Sequence, residues 1–290
     1  MKKILLKLSM LMILPIALIG CGNTKNEDTT SDKLKVTVSI SPLKEFTEAI
    51  GGDKVEVTTL VPENTEPHDF DFKPRDLEKV MNEKLFIYNG LGMEDWLSQL
   101  EGKDINLIDS SKDADIIRNG NKTDPHLWLS LKGATSQSYN IKNALVEVDP
   151  DNEDYYEENY NKFKAELDGL YDEYKTKFSD IKTKDFVTSH AAFAYLCRDF
   201  GLQQKSINDI FGEEGEERPQ DKVNLIKYCI DNNITTIFSE GTDSNKKAES
   251  YATDIGGKVE SIYTLETKVE GKSYIEAMRY NLDVIYNSMK

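Results

Sequence analysis

"NEDYYEENYNKFKAELDGLYDEYKTKFSDI", residues 152–181, decides how this chain divides. Apolar and aromatic side chains recur at positions 155, 156, 160, 163, 167, 170, 171, 174, 178 and 181. Steps of three and four place them in one stripe along a helix. Acids gather at its start and lysines toward its end, which suits the helix dipole; Gly169 is a mild flaw. A helix of this length spans ~45 Å, enough for a rod that crosses two domains and ties them. The stripe is irregular and rich in tyrosine, so the rod is expected to pack on its own protein rather than pair as a coiled coil.

On either side of the rod, strand-like runs alternate with helical ones. Before it stand "KLKVTVSI" (33–40), "KVEVTTLV" (54–61), "KLFIYNG" (84–90) and "INLIDS" (105–110), with "PLKEFTEAIGG" and "PRDLEKVMNEK" as helices between them. After it stand "DFVTSH", "QQKSIN", "TTIFSE" and "KVESIY", separated by "AAFAYLCRDFG", "PQDKVNLIKYCIDNN" and "SNKKAESYATDIGG". Such alternation marks parallel βαβ units. Gly201 and Gly256 fall where helix stops belong. The fold class expected is α/β: two lobes joined by one long rigid helix. The divisions are an N-terminal lobe over 34–150, the linking helix over 151–183 and a C-terminal lobe over 184–290.

Ahead of the first lobe, "MKKILLKLSMLMILPIALIGCGN" has a basic start, a short apolar run and a small residue before Cys21. This is a signal-peptide pattern over 1–20, too short for a membrane span of ~20 apolar residues. Residues 21–33 are polar and read as a flexible tether. The whole chain carries 36 basic against 52 acidic residues, a balance of -16, and loss of the three signal lysines moves it to -19. That argues against nucleic acid as partner, since phosphate binding needs a basic patch. Cys197 and Cys229 fall in helical stretches without the paired spacing of a zinc–thiolate site, and are expected as buried thiols.

The chain has only three histidines. His68 follows the second strand by a short loop, His126 sits in a loop after Pro125, and His190 ends "DFVTSH" and opens the next helix. Ligands of α/β folds bind beyond the carboxyl ends of strands and between domains, so all three stand where a cleft ligand would. Neutral imidazoles suit zinc, and a tetrahedral site needs a fourth donor. Glu240, Asp243 and Glu266 are the carboxylates in position, Glu266 following the last strand. Asp69 and Asp124 stand ready to accept the second N–H of a metal-bound histidine, with Glu66 nearby. Trp96 and Trp128 read as packing residues.

"EPHDFDFKPRDL", "NGLGMEDWL", "DPHLWLS", "TSHAAFAYL", "IFSEGTDSNKKAESYATDIGGKV" and "SYIEAMRYNLDVI" resemble, in that order, the blocks of zinc/manganese solute-binding lipoproteins of bacterial ABC transporters. The likeness runs from about Leu34 to the end. It implies a four-stranded parallel sheet flanked by helices in each lobe and a metal cleft between them. It also implies cleavage before Cys21, whose "LIGC" resembles a lipobox, and lipid on that cysteine. The family's ligand positions fall on His68, His126 and His190. Histidine at the third favours Zn(II), with Mn(II) possible as cargo. At the fourth, many members carry aspartate where this chain has Leu265; zinc-type members place a glutamate next, which matches Glu266. The family's long histidine-rich loop has no counterpart between Ser111 and Thr123.

The function expected is therefore capture of Zn(II) outside the cytoplasmic membrane by a lipid-anchored monomer, which hands it to an ABC permease and its cytoplasmic ATPase. The ATPase must be a separate chain, since no GxxxxGK[ST] sequence is present. A manganese-preferring member is the alternative within the family. A zinc-dependent hydrolase is the alternative outside it, although the chain has neither an H-E-x-x-H nor a G-x-S-x-G pattern. Surface exposure alone would also allow cell adhesion.

Overall fold

A computed structural model describes residues 33–63, 65–119, 122–208, 218–240 and 245–290. The signal peptide, Cys21, the tether up to residue 32 and Asp243 lie outside the described residues. No helix among the described residues is long and apolar enough to cross a membrane.

The first half holds β1 (Leu34–Val38), α1 (Ser41–Gly51), β2 (Val55–Thr59), α2 (Pro74–Met81), β3 (Leu85–Tyr88) and β4 (Leu107–Asp109). The four strands form one parallel sheet in the order β2-β1-β3-β4. Val36, Val38, Leu85 and Ile87 are fully buried, as expected of strands covered on both faces. A two-residue hairpin follows, β5 (Arg118–Asn119) with β6 (Lys122–Thr123), and then α3 (Leu131–Val148).

The rod is α4, Glu153–Ser179, 27 residues and ~40 Å long. Seven of its stripe positions are buried: Tyr156, Tyr160, Phe163, Leu167, Leu170, Tyr174 and Phe178. They pack on α1 and α3 of the first half, and the same helix meets α5 (Ala194–Phe200) and α8 (Tyr274–Ser288) of the second. One continuous apolar core therefore runs along the rod from Val36 to Ile285.

The second half holds β7 (Asp185–Thr188), β8 (Gln203–Ser206), α6 (Pro219–Asp231), β9 (Thr236–Ser239), α7 (Asn245–Asp254) and β10 (Lys258–Ser261). Its parallel sheet has the order β10-β9-β7-β8. Gly201 closes α5 in the left-handed conformation, φ 66°. Cys197 and Cys229 are free, buried thiols.

Candidate metal centre

Each histidine and Glu266 stands beyond the carboxyl end of a strand. His68 sits in a 3-10 turn, Pro67–Asp69, in the β2–α2 connection, and the Glu66 side chain caps that turn by accepting the His68 backbone N–H at 3.4 Å. Asp69, expected as a support for a histidine ring, is instead exposed to solvent.

His126 lies between β6 and the 3-10 turn Leu127–Leu129, with no exposed surface. Asp124 Oδ1 accepts from its backbone N–H at 2.9 Å and lies 2.8 Å from its Nδ1. A buried carboxylate there holds the proton on Nδ1 and turns the Nε2 lone pair toward the site. The loop is braced by Asn89, which donates to the Pro125 carbonyl at 2.9 Å.

His190 does not open a helix. β7 ends at Thr188 and α5 begins only at Ala194, so His190 sits in the bend between them. The shape of that bend comes from a residue the sequence reading passed over. Gln204 of β8 donates to the His190 carbonyl at 2.7 Å and accepts from Phe193 N–H at 3.0 Å. Its place on the neighbouring strand was the only available signal. Glu240, at the end of β9, lies 3.2 Å from His190 Nδ1. It thus stands behind the ring, in the role Asp124 plays for His126, and leaves Nε2 toward the centre.

Glu266 is buried in the loop after β10, and Leu265 before it is left-handed, φ 61°. A non-glycine residue in that region costs of order 1–3 kcal/mol. Here Leu265 packs into the main core, and the twist sends the next side chain into the cleft. Of the two residues where the sequence departs from the aspartate pattern, Leu265 is in the core and the Glu266 side chain lies beside the histidines.

The four side chains converge. His68 Nε2 and His126 Nε2 are 3.3 Å apart, and Glu266 Oε1 is 3.4 Å from the first and 3.0 Å from the second. A donor atom from each of His68, His126, His190 and Glu266 lies within 4.8 Å of the others. Metal bonds of ~2.0–2.2 Å in a tetrahedron put donors about 3.3–3.5 Å apart, close to these separations. Although two imidazole nitrogens are so near, Glu266 Oε1 receives no hydrogen bond of acceptable angle. A buried carboxylate oxygen aimed at a point between ring nitrogens is the arrangement a cation would complete.

The electrostatics agree. Burial alone would raise the Glu266 carboxyl, but the neighbouring imidazoles of His126 and His68 and the field of His190 hold it well below the ordinary range. Burial alone would lower His126, but Asp124 and Glu266 raise it. Glu66 is an exposed residue, yet loss of water around its carboxyl, with repulsion from Glu266, pushes it up to about 7. The pocket is thus electronegative, with carboxylates of Asp124, Glu240 and Glu266 around three imidazoles.

The family model described as zinc-uptake complex component A, periplasmic, matches residues 36–288. The chain belongs to this family. Among its relatives is the high-affinity zinc uptake system protein ZnuA of Bacillus subtilis, 33% identical over 93% of this chain and 93% of that one. Another is the manganese ABC transporter substrate-binding lipoprotein PsaA of Streptococcus anginosus, 31% identical over 96% and 97%. The solved structure of the laminin-binding protein Lmb of Streptococcus agalactiae, described as an adhesin with metal-transporting activity, superposes with a TM-score of 0.84. It is 32% identical and covers 89% of this chain and 100% of that one. Membership in the zinc-uptake family makes the chain a solute-binding component of a metal ABC transporter, working outside the cytoplasm at a membrane.

Proposed function

We propose that this protein captures Zn(II) with His68, His126, His190 and Glu266 and delivers it to an ABC permease driven by a separate ATPase. The observation that carries this reading is the convergence of three imidazoles with an orphaned carboxylate oxygen, one donor atom from each within 4.8 Å of the others. The binding unit would comprise lobes over 34–150 and 184–290 tied by the helix over 151–183. Lipid on Cys21 would hold it, as a monomer, at the outer face of the cytoplasmic membrane.

Zinc suits this donor set better than manganese, because three of the four donors are nitrogen and manganese favours more oxygen. The relative named for manganese transport keeps Mn(II) as the alternative cargo. Four protein donors leave no open coordination position, so no metal-bound water is available for hydrolysis and no catalysis is proposed. The likeness to Lmb supports an adhesive role as well, to be tested by binding of the purified protein to immobilised laminin.

The deciding experiment is metal analysis of protein purified without added metal, followed by competitive titration with Zn(II) and Mn(II). Near-stoichiometric zinc that excess manganese fails to displace supports the proposal. Preferential manganese binding overturns the choice of cargo, and turnover in a panel of hydrolase substrates overturns the transport reading.

A further inference from the structure

Trp128 has no exposed surface and lies two residues after His126, its ring centroid 5.3 Å from the imidazole. Its indole N–H crosses to the other half of the molecule and donates to the Thr264 carbonyl at 2.7 Å. Thr264 in turn donates its hydroxyl to Glu266 Oε2 at 3.1 Å. The Trp128 carbonyl is held by the hydroxyl of Tyr274, itself buried and packed edge-on against Phe46 at 4.8 Å. One side chain thus ties the loop that carries His126 to the loop that carries Glu266.

We propose that Trp128 is a positioning residue that aims Glu266 at the metal by holding the Thr264 carbonyl. The inference rests on the capture reading above. Glu266 follows a left-handed leucine, and its inward oxygen has no hydrogen bond to orient it. Beside the His126 and His68 imidazoles, 3.0 and 3.4 Å from that oxygen, what fixes its direction is the backbone before it and the Thr264 hydroxyl on its outer oxygen. The backbone at Thr264 is pinned by the indole. An aromatic ring without the N–H would fill much of the same space while leaving that carbonyl free to turn. The pair His126 and Glu266, 3.0 Å apart, is then braced by a strut across the two halves.

A double-mutant cycle tests this. Zinc affinity is measured by competition with a chromophoric chelator for the wild type, Trp128→Phe, Glu266→Ala and the double variant. Phe178→Leu, in the rod, controls for general loss of packing. Trp128→Phe is expected to weaken zinc binding about tenfold, in the range seen for outer-shell partners of metal ligands. In the Glu266→Ala background the same change should cost less than about twofold, and the control should melt earlier with affinity unchanged. Equal losses in both backgrounds, or no loss in the first, overturn the inference while leaving zinc capture standing. A wild type that binds no zinc overturns both. Tyr274→Phe removes only the hydroxyl that seats Trp128 and should give a smaller loss that again vanishes without Glu266. It serves as the test if Trp128→Phe does not fold, and a loss that persists without Glu266 overturns the inference.

Discussion

Glu266 Oε1 lies 3.0 Å from His126 Nε2, both side chains buried and 140 positions apart in the chain. Without a cation the contact is an ion pair of modest geometry. With one it becomes an edge of a coordination polyhedron. The separation is close to the edge of a tetrahedron built on metal bonds of ~2.0–2.2 Å.

Removing donors should therefore cost affinity in proportion to how well water replaces them. At a hundredfold excess over its dissociation constant, zinc stabilises the wild type by ~2.7 kcal/mol. In a domain of this size that raises the melting temperature by roughly 5–10 °C. His68→Ala, His126→Ala and His190→Ala should each abolish most of that shift in a thermal melt with zinc. Glu266→Ala should keep part of it, because water can take the fourth place. A larger loss for Asp243→Ala than for Glu266→Ala would assign the fourth donor to Asp243.

Gln204→Ala should behave as a lesion of His190 without touching the ring. It removes the donor to the His190 carbonyl and the acceptor for Phe193 N–H. The expected zinc affinity is about tenfold lower. Gln204→Glu keeps the acceptor and loses the donor, bringing negative charge against the His190 carbonyl, so it should fare no better. Isothermal titration of both variants checks this.

All eight strands of the two sheets were legible, within two residues at each end. Most are short β-branched or apolar runs closed by turn residues, as "KLKVTVSI" is around β1 (Leu34–Val38); β8, Gln203–Ser206, is polar throughout and was legible only from its place in the alternation of strands and helices. The rod was legible because its stripe has a helical period. α3 was not, because its inward face buries Gln137, Ser138 and Lys142 among the apolar residues and blurs the period. α8 was read only as a family block, although Ser273 and Glu276 form a capping box at its start. At the site, the three histidines and Glu266 were visible as residue types at strand ends. Of their supports, Asp124 was legible from its place two before His126. Glu240 was read as a candidate donor, and Gln204 and the tie made by Trp128 were not visible, since they act through bonds that only the folded chain brings together. Trp128, read as packing, packs and also ties the two halves.

Gly169 lies in the interior of the rod, and a Cβ added there meets nothing within 4 Å. Gly169→Ala should therefore stabilise the protein by ~0.5–1 kcal/mol through the glycine's lost chain entropy. A melting temperature higher by roughly 1–4 °C is the readout. Zinc affinity should be unchanged, because the position touches no side chain of the site. A drop in melting temperature would show that the rod is not helical there.

The metal-free and zinc-bound proteins should respond to pH in opposite senses. In the metal-free protein His126 is raised above its ordinary value, so its contribution to stability is full below about 6.5. It is lost as pH rises through the raised folded value. Glu266 is depressed, so its contribution is present above about 4.5 and lost as pH falls through the folded value. Together they favour the metal-free protein most between about pH 4.5 and 6.5. Zinc, however, needs His126 deprotonated, and a cation beside Glu66 would also drive off the proton that its raised value, about 7, retains. Binding near pH 6–7 should thus release protons, measurable by calorimetry in buffers of different ionisation enthalpy, and the release should fade toward pH 9. The zinc-induced melting shift should grow over the same range. Asp124→Asn removes the carboxylate that raises His126 and should flatten the metal-free profile between pH 6 and 8. An unchanged profile in that variant would show that the Asp124–His126 pair does not set the titration.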